Sequence, residues 1–256
     1  MIHDIVTIWQ REMIRYIRSK SRIITSLIMP ILWLGVLGTA FGSTLGNVRF
    51  PGGLDYLSFI APGILAMAIL FTSIFTGISV IFDREFGFLK EILVAPVSRI
   101  SIVLGKTLGG TTAAMIQGIM MLVISLLFGV HFAGEYGILF GIVGAIFVMF
   151  LIGMGLVSLG IAFASKMQNM EGFQMVMNFL VMPMFFLSGA MYPINSLPGW
   201  LKSVVYIDPL TYGVDALRHF LIGSNVTSFP LWLDLGVLVA FFSILLTIGA
   251  YLFRKI

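Results

Sequence analysis

The sequence predicts an all-α membrane protein: six transmembrane helices, an N-terminal amphipathic interface helix, and two short re-entrant helices before the last span. Three observations carry this expectation. The chain is 59% hydrophobic and only 10% charged, with a mean hydropathy of +1.07, whereas a soluble domain carries roughly a quarter charged residues. Continuous apolar runs recur at about the 20 residues that a helix needs to cross a bilayer core. The lysines and arginines fall almost entirely on alternate connections between those runs. Membrane β-strands would show alternating ten-residue segments instead, so a barrel is excluded.

The first 22 residues carry five basic side chains before any long apolar run, which predicts no signal peptide. Within them, Ile2, Ile5, Trp9, Met13, Tyr16 and Ile17 recur at three-to-four spacing, with Asp4, Arg11, Arg15 and Arg18 on other faces. That is an amphipathic helix, expected along the cytoplasmic surface as an anchor or a partner contact, and Ile8 and Ile14 interrupt its stripe. The spans follow at Ile23–Phe41, Ser58–Phe82, Ile100–Phe128, Ile138–Ala164, Phe173–Ser188 and Leu231–Phe253.

Span two continues into Phe82-Asp-Arg-Glu-Phe-Gly-Phe-Leu-Lys-Glu-Ile-Leu-Val-Ala-Pro96-Val-Ser-Arg99. Phe82, Phe86, Leu89 and Leu93 share a helical face, and Pro96 forces a turn. Ser98 is placed to cap span three. Residues 83–99 therefore form a cytoplasmic elbow with apolar knobs, and such a surface asks for a covering partner or for its own bundle. Span five is short, about 24 Å at 1.5 Å per residue, and contains Pro183 and Asn178. The outward segment 189–230 then predicts helices near Pro198–Ile207 and Pro209–Ile222. Asp208 caps the second, Gly223 ends it, and Asp215 can pair with Arg218 along it. Both helices are too short to cross and are expected to dip into the outer leaflet. Gly38/Gly42, Gly105/Gly109 and Gly137/Gly141 permit close helix approach.

Twelve of the fifteen basic residues lie on one side of this arrangement; only Arg49, Lys202 and Arg218 lie on the other. The bias places both termini in the cytoplasm. All seven tyrosines sit at or beyond span ends, as interfacial rings should, whereas Trp33 lies inside span one.

Several function classes are excluded. There is no cysteine, hence no disulfide, iron–sulfur or thiol chemistry. The span cores hold no Asp, Glu, Lys, Arg or His, which an ion-driven pump requires. His3, His131 and His219 are too scattered for a catalytic or metal site. Gly105-Lys106-Thr107 opens a span and lacks the upstream glycine of a phosphate-binding loop. No residue is catalytic and none binds metal. If the chain drives transport, the power comes from another polypeptide.

The ordered set Arg84-Glu-Phe-Gly-Phe-Leu-Lys-Glu-Ile-Leu-Val-Ala-Pro-Val-Ser-Arg99 with Leu104-Gly-Lys106, then Phe186-Leu-Ser-Gly-Ala-Met-Tyr-Pro193, then Leu197-Pro-Gly-Trp-Leu201, Asp208-Pro-Leu-Thr-Tyr212 and Arg218 resembles the permease subunit of type-2 ATP-binding-cassette (ABC) exporters. The resemblance covers essentially the whole chain, 1–256, as one transmembrane permease domain in the plasma membrane. It implies a second permease copy and a separate ABC ATPase that holds ATP and Mg²⁺, leaving this chain without a cofactor. Carried over residue by residue, it makes Arg84, Glu85, Phe88, Lys90, Glu91, Leu93, Pro96 and Arg99 the ATPase-coupling surface. Phe71, Phe75, Asn178, Phe179, Met182 and Phe186 become the pathway lining, and Pro198, Trp200, Pro209 and Tyr212 the outer gate. The Met- and Phe-rich fifth span favours an amphipathic drug-like or lipid-like cargo. A polysaccharide or glycolipid exporter permease, and a non-transporting membrane scaffold, are the alternatives.

Overall fold

A computed structural model describes residues 1–44, 50–87, 97–130, 132 and 137–253. Within them the regular structure is helical, apart from an isolated bridge between Phe50 and Leu54. In chain order the helices are α1 (Ile2–Arg18), α2 (Lys20–Thr44), α3 (Tyr56–Thr76), α4 (Ile78–Glu85), α5 (Arg99–Leu127) and α6 (Ile138–Lys166), then α7 (Met170–Leu187), α8 (Gly199–Val205), α9 (Pro209–Leu221) and α10 (Leu231–Phe253). Among the described residues six segments are long and apolar enough to cross a membrane: α2, α3 with α4, α5, α6, α7 and α10. They fall where the apolar runs place them.

Short polar side chains set the helix starts by accepting backbone N–H groups that the first turn leaves unpaired. The Ser98 hydroxyl accepts from Ser101 at 3.0 Å, the Asn169 side chain from Gly172 at 3.0 Å, and the Asp208 carboxylate from Leu210 at 2.9 Å. Gly223, at φ +143°, stops the helix after α9, and its N–H reaches back to the Arg218 carbonyl. Span two is not continuous: it breaks between α3 and α4 at Gly77, where a β-carbon would lie 2.5 Å from the Gly160 carbonyl carbon. The two backbones touch there.

α3 is the axis of the fold. Its apolar window is 83% buried, against 17% for α2, 22% for α7 and 11% for α10. It packs on α2, α5 and α6, while α10 lies along the far side of α6. α9 is enclosed by α3, α6 and α10, and every residue from Leu210 to Leu221 is buried. α8 is unlike it, with Trp200 72% exposed. Of the two expected short helices, one is thus covered by protein and the other is peripheral.

The expected Asp215–Arg218 pairing does not form. Arg218, 2% exposed, donates to the carbonyls of Gly189 and Ala190 at 2.8 and 3.1 Å and lies 4.1 Å from the centroid of the Phe59 ring. The Asp215 carboxylate instead accepts the N–H groups of Ser228 and Phe229 at 2.9–3.0 Å. Each charge finds main-chain dipoles that a three-residue helical spacing does not reveal.

Candidate functional site: a charged clamp and the cavity behind it

The N-terminal stripe is rotated from its expected setting. Ile8, Glu12, Met13 and Tyr16 are buried, while Ile2 and Ile17 are exposed. The buried face meets α5 rather than open surface. A β-carbon on Gly105 would come within 2.7 Å of the Ile8 side chain, and one on Gly109 within 2.6 Å of Glu12. The small-residue spacing of α5 is therefore a seat for α1. Polar bonds fix the register: the Trp9 indole donates to the Thr112 hydroxyl, and the Tyr16 hydroxyl to the Gln117 side-chain oxygen, each at 3.0 Å.

At the centre of the seat lies a cluster of charges. Lys106 and Asp83 are each 1% exposed and Glu12 is 6% exposed. The Lys106 ammonium donates to Asp83, to Glu12 at 3.2 Å and to the Ser79 hydroxyl at 3.4 Å. Arg11 donates to Asp83 at 2.9 Å, and Arg15 reaches the same carboxylate at 3.4 Å. Asp83 therefore faces three cations from α1 and α5. Buried ions lose hydration worth several kcal/mol each, which only close opposite charges and hydrogen bonds offset. Here the offset ties α1, α4 and α5 into one body. Lys106 is thus no loop charge, although it counts toward the basic bias.

Of the expected coupling surface, Phe88, Lys90, Glu91, Leu93 and Pro96 lie outside the described residues. Arg84 turns inward and donates to the carbonyls of Met167 and Ser165 at 2.9 and 3.0 Å, joining α4 to the end of α6. Glu85 and Arg99 are exposed on either side of the undescribed stretch. The described root of the elbow, at Asp83 and Arg84, is thus clamped to the bundle.

Behind the clamp, between α2 and α3, lies a cavity of about 430 Å³. Phe71 and Phe75, two of the expected pathway residues, stack along one wall with ring centroids 6.3 Å apart. Arg22, Ser21, Thr25, Ser26 and Thr72 supply polar groups. The other expected pathway residues sit on α7: Asn178, Phe179 and Met182 are exposed, and Phe186 packs edge-on against Trp33 of α2 at 6.1 Å. Phe179 borders a separate apolar groove with Pro183 and Pro209. The structure brings Phe71 and Phe75 together but does not bring the α7 set into their cavity.

The residues expected at the outer gate are likewise divided. Pro198 and Trp200 are exposed at α8, while Tyr212 is buried, donates to the Tyr206 carbonyl at 2.8 Å and packs on Phe229. Burial pushes the Asp208 carboxyl up to about 7, opposed by the Leu210 N–H that it accepts. Burial likewise lowers Arg218 to about 10, opposed by the nearby Asp215 charge.

Sequence reasoning missed Glu12, Asp83, Lys106, Arg22 and Thr72. The signal for the first was an acid on the apolar side of α1, at the four-residue steps that join Ile8 to Tyr16. For Lys106 it was a cation flanked by Gly105 and Gly109, about 10 Å past the start of its helix.

The pattern of the ABC-2 type transporter family matches residues 3–222. The chain is 27% identical over 263 residues to a putative transport permease, ycf38, of Cyanophora paradoxa, covering all of this chain and 89% of that protein. It is 26% identical to the inner membrane transport permease YadH of Escherichia coli K12, covering 92% of this chain and 88% of that one. With nodulation protein J of Rhizobium meliloti it shares 28% identity over 86% of this chain and 81% of the relative.

Proposed function

The chain belongs to the ABC-2 type transporter family and is a multi-pass membrane transport permease subunit, and on that premise we propose that it forms half of a permease dimer powered by ATP hydrolysis on separate ATPase subunits. The termini face the cytoplasm, as the basic-residue bias supports. The ATPase docks at the elbow, residues 83–99, and the cargo is an amphipathic drug-like or lipid-like molecule. The second copy packs against the faces of α2 and α7, where Ile28, Leu32, Val36, Met175, Phe179 and Met182 are exposed.

The observation that carries this reading is the clamp. Lys106, Asp83 and Glu12 bind the root of the elbow to α1 and α5, so a push on the elbow moves three helices together. ATP-driven closure of two ATPases supplies differential binding energy, and the permease supplies an element with two arrangements. ATP and Mg²⁺ stay with the partner. The test is co-purification with the ATPase and cargo-stimulated ATP hydrolysis. Phe88→Asp and Leu93→Asp are expected to abolish both, and intact coupling in the double variant would remove the elbow from the mechanism.

A further inference from the structure

The cavity between α2 and α3 holds an imbalance that the transport reading does not use. Arg22 is half-buried on its wall, yet among the described residues it makes no ion pair. Its guanidinium donates to the Thr76 hydroxyl at 3.5 Å. The nearby carboxylates, Glu12 and Asp83, are engaged by Lys106, Arg11 and Arg15. A second lining group is unsatisfied: the Thr72 hydroxyl is buried, at 6% exposure of its residue, with no hydrogen-bond partner. Beside these lie the hydroxyls of Ser21, Thr25 and Ser26, and next to them the stacked rings of Phe71 and Phe75.

A partly desolvated guanidinium with no carboxylate in ion-pair contact favours a ligand that brings an anion to it. Arg offers its planar donors to phosphate or carboxylate, and a neighbouring hydroxyl adds a further donor. The Phe71–Phe75 wall, by contrast, offers only apolar surface. About 430 Å³ falls within the roughly 300–1,000 Å³ of small-molecule sites.

We propose that this cavity binds an amphipath with a phosphate or carboxylate head, the head on Arg22 and Thr72 and the apolar body along Phe71 and Phe75. This rests on the permease reading for its biological meaning but not for its binding chemistry. The head group belongs either to an anionic lipid of the adjoining leaflet or to a free amphipathic cargo.

The experiment uses the full chain in nanodiscs of phosphatidylcholine, with three probes of equal tail: dodecyl phosphate, dodecylphosphocholine and dodecylammonium. Calorimetric titration should show dodecyl phosphate binding at least about tenfold more tightly than the other two. Arg22→Gln should remove that preference, and Arg22→Lys should retain the charge preference with weaker binding. Thr72→Val should weaken dodecyl phosphate by about threefold to tenfold. Arg18→Gln, on the exposed end of α1, should change nothing. Equal affinity for the three heads, or unchanged phosphate binding in a folded Arg22→Gln protein, overturns the proposal. Thr72→Val and Arg22→Lys keep the test valid if Arg22→Gln does not fold. Adding phosphatidylglycerol to the discs separates the sources: competition with dodecyl phosphate assigns the site to lipid, and its absence assigns it to a free amphipath. If dodecyl phosphate binds through Arg22 but never stimulates the reconstituted ATPase complex, the site stands and its assignment to the transported cargo falls. If the complex exports while Arg22→Gln binds normally, this proposal falls alone.

Discussion

Charges are buried at both ends of this bundle, but they are satisfied in opposite ways. At the α1–α4–α5 junction, Lys106, Arg11 and Arg15 meet Asp83 and Glu12 side chain to side chain. Around α9, Arg218 meets two carbonyls, Asp215 meets two backbone N–H groups, and Asp208 caps a helix. Side chains from distant elements can exchange partners or separate as a unit. Main-chain partners cannot be exchanged. The first arrangement suits a junction that transmits movement, and the second suits a rigid plug.

The sharpest way to break this contrast is Lys106→Met. It leaves the buried Glu12 only the longer approaches of Arg11 and Arg15, at 3.6 and 4.0 Å, and unfolding in detergent should show a loss of about 3–5 kcal/mol. Adding Glu12→Leu to the same chain should return part of that loss; a further loss would mean that the cluster is not held by charge pairing. Arg218→Met leaves the Gly189 and Ala190 carbonyls unpaired in a buried site, with an expected cost of about 2–3 kcal/mol. No second substitution at Asp215 should restore it. Double-mutant cycles sharpen the same point. Lys106 with Asp83 should couple by about 1–3 kcal/mol, and Arg218 with Asp215, which make no direct contact, by less.

The smallest expected effect is on pH dependence. Burial raises the Asp208 carboxyl to about 7 from an unfolded value near 3.9. The native state then holds the proton more tightly, so stability is greatest below about pH 4 and declines as pH rises towards about 7. Asp208→Asn keeps an acceptor for the Leu210 N–H and removes the titration. Its unfolding midpoint should therefore gain on the wild type more at pH 8 than at pH 5. An equal difference at both values would show that Asp208 does not titrate on folding.

Much of the bundle was legible because bilayer crossing imposes length and composition on each helix locally. The caps at Ser98 and Asp208 and the stop at Gly223 were legible for the same reason: each acts within a few residues. Glu12, Lys106 and Arg218 were misread or missed because their partners are distant in sequence. Ile8, which interrupted the expected stripe, is buried because the partner surface is α5, and a helix's own periodicity does not state which way it is turned. For the same reason an acid and a base three residues apart on α9 suggested each other, while the fold offered both of them backbone.

At the crossing of Gly77 with Gly160 no side chain separates α3 from α6. Two bare main chains already in contact cannot close further, so the freedom left to them is to pivot. Because the span also breaks at this point, α4 can bend against α3 there without either backbone leaving its seat on α6.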